Sequence, residues 1–379
     1  MRHNRFGATR GYPALVATGV PWFRLSRRSG RPGLLTLARL LAFEVVVMAA
    51  LYLLSPQLWL MILAAVLTVL FTVLLFGRSH GRWWSESLLL WLRYRRRSGT
   101  ADVRGDDPRL TALCELVPEL TVEDLPGPEN TKLGMGGDGA GWFAVLEVAL
   151  DASGALPPVP LAALTRVAAE AEQAGVVIQL VSHNAVGPRG RERVVWVGVR
   201  MDAKAVAEST LVRNQRVDVP AVLTEMVRRV ERVLRRRGRM ARALTADELL
   251  AALARSCDLL PVGTPVTARE AWQAWYSGRL AHRCYWVASW PEAQRGTALL
   301  ARLADLPAAL VSIAFVLEPA FDGTSMTCVV RIAGAPGSLG PACDQAEEMV
   351  RRAGGRLSGL DGQHAPGVYA SAPSGGGVR

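Results

Sequence analysis

Two apolar stretches separated by three residues constrain this 379-residue chain more than any other feature. Leu34–Leu54 reads LLTLARLLAFEVVVMAALYLL, and Leu58–Phe76 reads LWLMILAAVLTVLFTVLLF without a charge. A helix rises about 1.5 Å per residue, so stretches of 21 and 19 residues match a hydrocarbon core of roughly 30 Å. Ser55-Pro56-Gln57 leaves room only for a tight turn. The expectation is a transmembrane hairpin with both flanks on one side. A signal peptide is a poor alternative, because there are two stretches and the first begins only at residue 34.

The charge distribution supports that reading. The formal net charge is +11, and residues 1–100 hold 14 Arg against Glu44 and Glu86, so the whole excess lies around the hairpin. By the positive-inside rule, both termini are placed in the cytoplasm and the chain in the cell (inner) membrane, with two helices. Arg27, Arg28 and Arg31 before the hairpin, and Trp83, Trp84, Arg95, Arg96 and Arg97 after it, are the expected interface and orientation residues. Inside the first stretch, Arg39 can snorkel to the surface. Glu44 lies deeper, about 9–15 Å by helical rise. It is read either as hydrated through a local defect or as a helix–helix contact within an assembly.

The search for catalytic chemistry is negative. The sequence has no H-E-x-x-H, no G-x-S-x-G and no C-x-x-C. Lys132 and Lys204 are the only lysines, and neither ends a Walker loop. Gly134-Met135-Gly136-Gly137-Asp138-Gly139 spells G-x-G-x-x-G, but a turn-rich stretch precedes it and a strand follows, the wrong order for a dinucleotide site. It is read as a loop. The five cysteines are expected to be buried small hydrophobes. No catalytic, cofactor-binding or metal-binding residue is assigned. The arginines from 228 to 242, among them Arg228, Arg229, Arg232, Arg235, Arg236 and Arg237, form either a solvated helix face or a docking face for lipid headgroups or an acidic partner. Nucleic acid is not expected, since residues 101–379 carry 30 basic and 31 acidic side chains.

Beyond residue 140 the apolar periodicity alternates between strand and helix. Strand runs at 142–150, 175–182 and 193–201, helical runs at 160–174 and 219–237, and a short closing strand at 239–244 spell βαββαβ. From residue 282 the order recurs, offset by about 135 residues. This suggests an α+β cytoplasmic region of two ferredoxin-like units. Between them, Thr245-Ala246-Asp247-Glu248 is a capping box. The expected organisation is a basic segment (1–33), the hairpin (34–76), a basic juxtamembrane helix (77–98), a linker (99–140), a first α+β unit (141–260), a second (261–364) and a flexible Gly/Ser/Ala/Pro-rich tail (365–379).

The hairpin, Gly81-Arg82-Trp83-Trp84, Tyr94-Arg95-Arg96-Arg97, and then Cys284-Tyr285-Trp286-Val287 and Trp290-Pro291 in an α+β domain together resemble EccE, a membrane component of the actinobacterial type VII (ESX) secretion system. The resemblance implies a non-enzymatic structural subunit beside EccB, the ATPase EccC and EccD, with anionic lipids as further partners, and offers no catalytic residues to carry over. The rival readings are a membrane-anchored enzyme with His183 or Asp138 in a cleft, and a ligand sensor by analogy of fold.

Overall fold

The computed structural model describes residues 41–48, 58–79, 82–96, 107–126, 131–150, 160–171, 175–187, 190–213, 217–260, 268–277, 279–291, 293–320 and 323–376. Arg27, Arg28, Arg31, Arg39 and Arg97 lie outside them.

Near the N-terminus, α1 (41–48) and α2 (Leu58–Phe76) meet where Phe43 and Phe76 pack edge to face at 5.8 Å. A two-residue-strand hairpin, β1 (Arg78–Ser79) and β2 (Arg82–Trp83), leads into α3 (Trp84–Arg96). Among the described residues, no helix is long and apolar enough to cross a membrane. That corrects the fold class, a membrane protein built on a transmembrane hairpin, and with it the two-helix inner-membrane location with both termini cytoplasmic. Of the first apolar stretch, residues 41–48 are described, and they are helical. The backbone of α2 is helical over 19 residues. Glu44 is exposed on α1.

Instead, a large antiparallel sheet with helices on its faces dominates the molecule. Among the described residues it has twelve strands. After α4 (Pro108–Cys114) come β3 (Thr121–Pro126), β4 (Lys132–Gly137) and β5 (Gly141–Val148). There follow α5 (Leu161–Ala169), β6 (Val176–Gly187), β7 (Gly190–Asp202), α6 (Ala203–Arg213), α7 (Val219–Arg236), β8 (Ala241–Ala243) and α8 (Ala246–Ser256). The second half contains β9 (Arg269–Glu270), β10 (Trp275–Tyr276), β11 (Ala281–Ser289), α9 (Ala293–Ala304), β12 (Leu310–Ala320), β13 (Gly323–Gly334), α10 (Pro336–Arg352), β14 (Arg356–Gly359) and α11 (His364–Ala370).

Strand pairing runs β8-β5-β7-β6 in the first half and β14-β11-β13-β12 in the second. Each half is thus a βαββαβ unit of spatial order 4-1-3-2. The two join edge to edge through β6 and β12, from Leu310 opposite Ala185 to Leu317 opposite Ile178. Pairing the two edges removes a long exposed strand that would otherwise recruit another chain.

Both faces of the sheet are covered, which is why β6 and β7 read as nearly continuous apolar runs. On one face Ile178, Val197 and Val199 meet α5, α7, α9 and α10. On the other Val177, Val181 and Trp196 meet α4, α8 and α11. Helix α7 begins at Asp218, whose carboxylate accepts from the Ala221 N–H at 3.1 Å. Its buried residues Val219, Leu223, Met226, Val227, Val230 and Leu234 recur every three or four positions. At about 1.5–3 kcal/mol for each fully buried side chain, this stripe anchors the helix and leaves its arginines outside.

Three stretches differ from expectation. The segment read as a linker contains α4 and the β3–β4 hairpin. The glycine run is no loop: Gly134, Gly136 and Gly137 lie in β4, and a Cβ at Gly134 would come within 2.5 Å of the Thr245 carbonyl carbon. Glycine is required there because the start of α8 crosses the strand. The tail expected to fray is packed, with residues 362–376 buried without interruption.

Candidate functional site

The α8–α11 face of the sheet hides a polar stripe. Arg200 on β7 and Asp138, in the turn after β4, are both fully buried. They form a bidentate pair, with Arg200 Nη1 and Nη2 each 2.7 Å from one Asp138 oxygen. The Tyr369 hydroxyl donates to Asp138 Oδ2 at 2.9 Å, and Arg200 Nη1 donates to the Ser374 carbonyl at 3.1 Å. Burial alone would lower the Arg200 pKa, but the Asp138 carboxylate holds it above the ordinary arginine value. Burial and the same carboxylate push the Tyr369 hydroxyl well up, so it stays a neutral donor.

Two further sheet residues hold the C-terminal segment by its backbone. Gln179 Nε2 donates to the Ala370 carbonyl at 2.7 Å, and Ser312 Oγ donates to the Ser371 carbonyl at 2.9 Å. Gly375, with φ of +75°, passes so close that a Cβ would meet Arg200 Cβ at 2.5 Å. The stripe is therefore a clasp between the two units and the tail. Its acid is engaged at both oxygens.

His183 and Asp138, the residues of the enzyme reading, are not brought together. Val177 pairs with Arg200 in the sheet, and His183 lies six positions further along β6, about 20 Å away at the usual strand rise. His183 is buried beside Trp196, ring centroids 5.5 Å apart. Burial, then the Arg331 and Arg255 charges, lower its pKa to about 3. A histidine with a depressed folded-state pKa contributes fully above the unfolded value near 6.5 and loses that contribution as pH falls toward 3. At about pH 4.5 the expected loss is roughly 3 kcal/mol, from 1.36 kcal/mol per unit over two units. Urea unfolding of wild type and His183→Asn at pH 7.5 and 4.5 measures this. Equal losses in both proteins would remove His183 as the cause.

The arginines of α7 lie on its outer face. Arg229 pairs with Glu170 at 2.8 Å, Arg232 with Glu225 at 2.7 Å and Arg228 with Glu225 at 3.9 Å. Arg235 pairs with Glu231 one turn back. Arg236 and Arg237 are exposed at the C-terminal end, where positive charge suits the helix dipole. At the N-terminal side, Trp83 ends β2, while Trp84 opens α3 and is 43% exposed. Arg95 stacks over Trp91 at 4.1 Å, and Arg96 closes the helix. The Tyr94 hydroxyl donates to the Glu270 carbonyl at 3.2 Å, and its ring packs edge to face on Trp272 at 5.7 Å. Helix α3 is thus docked on the sheet domain.

All five cysteines are free and buried. Among the described residues, no group of three or more His, Cys, Asp or Glu side chains is placed to hold a metal ion. Sequence reading missed Arg200 and Arg331. The available signal was a single arginine at an inward position of an apolar strand, in RVVWVGVRM and in MTCVVRIAG.

Residues 190–287 match the family model described as a putative type VII ESX secretion system translocon, EccE. The matched segment runs from β7 through α7 and α8 into β11, so it carries Arg200, the α7 arginines and the Thr245 capping box. No curated protein matches the chain. The match over 190–287 supports assignment of the chain to the EccE family, and with it to the components of type VII secretion.

Proposed function

We propose that the chain is a non-enzymatic structural subunit of a type VII secretion complex, whose sheet domain docks on neighbouring subunits through the arginine face of α7. The family match carries this reading, because it spans the helix that presents that face. Two observations fit it. The polar chemistry inside the domain is directed at holding the fold, as in the Asp138–Arg200–Tyr369 clasp. The α7 arginines are kept outward by a buried apolar stripe, with Arg236 and Arg237 exposed. Subunits of the EccB, EccC and EccD types are the proposed neighbours, with EccC supplying ATP hydrolysis. An acidic patch on one of them is the proposed contact, and nucleic acid is not a proposed ligand.

Charge reversal tests the face. Arg228→Glu, Arg232→Glu and Arg236→Glu combined are expected to reduce co-purification of the partner subunits at least tenfold. Stability should change little, since such surface substitutions usually stay within about 0.5 kcal/mol each. Undiminished co-purification would rule out docking through α7. A variant that keeps its partners but no longer sediments with anionic vesicles would assign the face to lipid headgroups.

A further inference from the structure

Among the described residues, no carboxylate is bound to a second buried arginine on the α8–α11 face. Arg331 on β13 is fully buried, and its Nη2 donates to Ser256 Oγ at 3.0 Å. Among the described residues its Nε and Nη1 have no hydrogen-bond partner. Strand register places it in one row with Cys284 on β11, Ser312 on β12 and, beyond that, His183 on β6. Adjacent strands are about 4.8 Å apart, so Arg331 and His183 lie roughly 10 Å apart at the backbone. That gap is within reach of a long side chain. His282 occupies β11 two positions from Cys284, fully buried against Trp275 at 5.0 Å between ring centroids. Both nitrogens of His183 and both of His282 also lack partners, as does the indole N–H of Trp196 beside His183.

The donors and acceptors do not balance. Arginine has five N–H donors and no acceptor, and a neutral imidazole has one of each. With Nη2 engaged, Arg331 still presents the Nε and Nη1 donors, the two histidines add two more, and they supply only two acceptors. Charge does not balance either. The guanidinium stays protonated in proteins, and an uncompensated buried cation is strongly destabilising. Burial lowers the Arg331 pKa, as expected for a charge poorly matched by its surroundings. Burial likewise pushes Cys257 up to about 11 and Cys284 up to about 12, so neither thiol supplies a counter-charge. Asp258 is engaged by Arg279 and by the Ser277 hydroxyl at 2.6 Å. The C-terminus of α8 contributes only a partial negative charge.

We propose that Arg331, with His183 and His282, holds one small monovalent anion of the halide class beneath α8. An acceptor-only ligand of unit charge satisfies the surplus donors and neutralises the guanidinium together. A phosphate dianion would be too large and too highly charged for a fully enclosed site with one cation. The site joins β6 of one unit to β11 and β13 of the other, so the bound anion would clamp the two units.

The test uses the full-length chain and bromide as the probe. Thermal unfolding is compared in sodium bromide and sodium gluconate at matched ionic strength. The midpoint is expected to rise saturably with bromide, by about 5 °C at a hundredfold excess over Kd. Crystals soaked in bromide should show an anomalous peak within hydrogen-bond reach of Arg331 Nε or Nη1. Arg331→Met should abolish the bromide dependence. Should that variant fail to fold, Arg331→Lys, which keeps the charge and loses the fork, should weaken bromide at least tenfold. A midpoint indifferent to bromide against gluconate would overturn the proposal, and so would an ordered water in place of the anomalous peak.

Discussion

Asp138→Ala is expected to destabilise the domain by roughly 3–5 kcal/mol, because it leaves the Arg200 guanidinium buried without its counter-ion. The side chains are 1% and 0% exposed, so solvent cannot take over the lost contacts. The Tyr369 hydroxyl and the two Nη groups lose the Asp138 acceptor together, although Nη1 keeps the Ser374 carbonyl. The cost should therefore come from stranded donors more than from any net strength of the pair. A second variant separates these contributions. Replacing both partners, Asp138→Leu with Arg200→Met, should recover most of the loss, since an apolar pair of similar volume needs no desolvated charge. Chemical denaturation of the three proteins decides the matter. An Asp138→Ala protein within 1 kcal/mol of wild type would mean that water reaches the pair.

Ending the chain after Gln363 should cost more still. The removed segment buries Val368 and Tyr369, each worth about 1.5–3 kcal/mol. It also takes the carbonyls of Ala370, Ser371 and Ser374 away from Gln179, Ser312 and Arg200. Each buried polar group left without a partner adds about 1–3 kcal/mol. The expected total is roughly 6 kcal/mol or more, comparable to the stability of a whole domain. Fluorescence and circular dichroism should show loss of the cooperative transition, together with dye binding to the uncovered sheet face. A truncated chain that unfolds with the wild-type midpoint would show that the clasp contributes little to stability.

These two experiments address the part of the molecule least legible in the sequence. The stripe of α7 and the capping box of α8 could be read directly, because both depend on residues three or four apart. Thr245 Oγ1 accepts from the Glu248 N–H at 3.4 Å, and the Glu248 carboxylate accepts from the Thr245 N–H at 3.0 Å. The clasp offers no such local pattern. Asp138 meets Arg200 across 62 positions and Tyr369 across 231. The Gly/Ser/Ala composition of the tail reads as flexibility, yet small residues are what a segment lying against Arg200 needs, as Gly375 shows. The glycine run of β4 misled in the same way, since it reads as a loop and forms a strand.

The apolar stretches at 34–54 and 58–76 illustrate the limit most sharply. Their length and hydropathy are properties of the sequence, and these alone set the expectation of a membrane hairpin. Among the described residues no helix is long and apolar enough to cross a membrane. The sequence by itself determined which segments alternate with period two and which with period 3.6, where α7 and α8 begin, and which helix face carries arginine. Those properties follow from neighbouring side chains and backbone hydrogen bonds. Only the tertiary structure decided that two βαββαβ units share one sheet through β6 and β12, that the tail closes over it, and that Arg200 has an acid while Arg331 has none bound to it among the described residues. Each of these depends on contacts between residues far apart in the chain, and a periodic pattern carries no information about which distant surface will cover it.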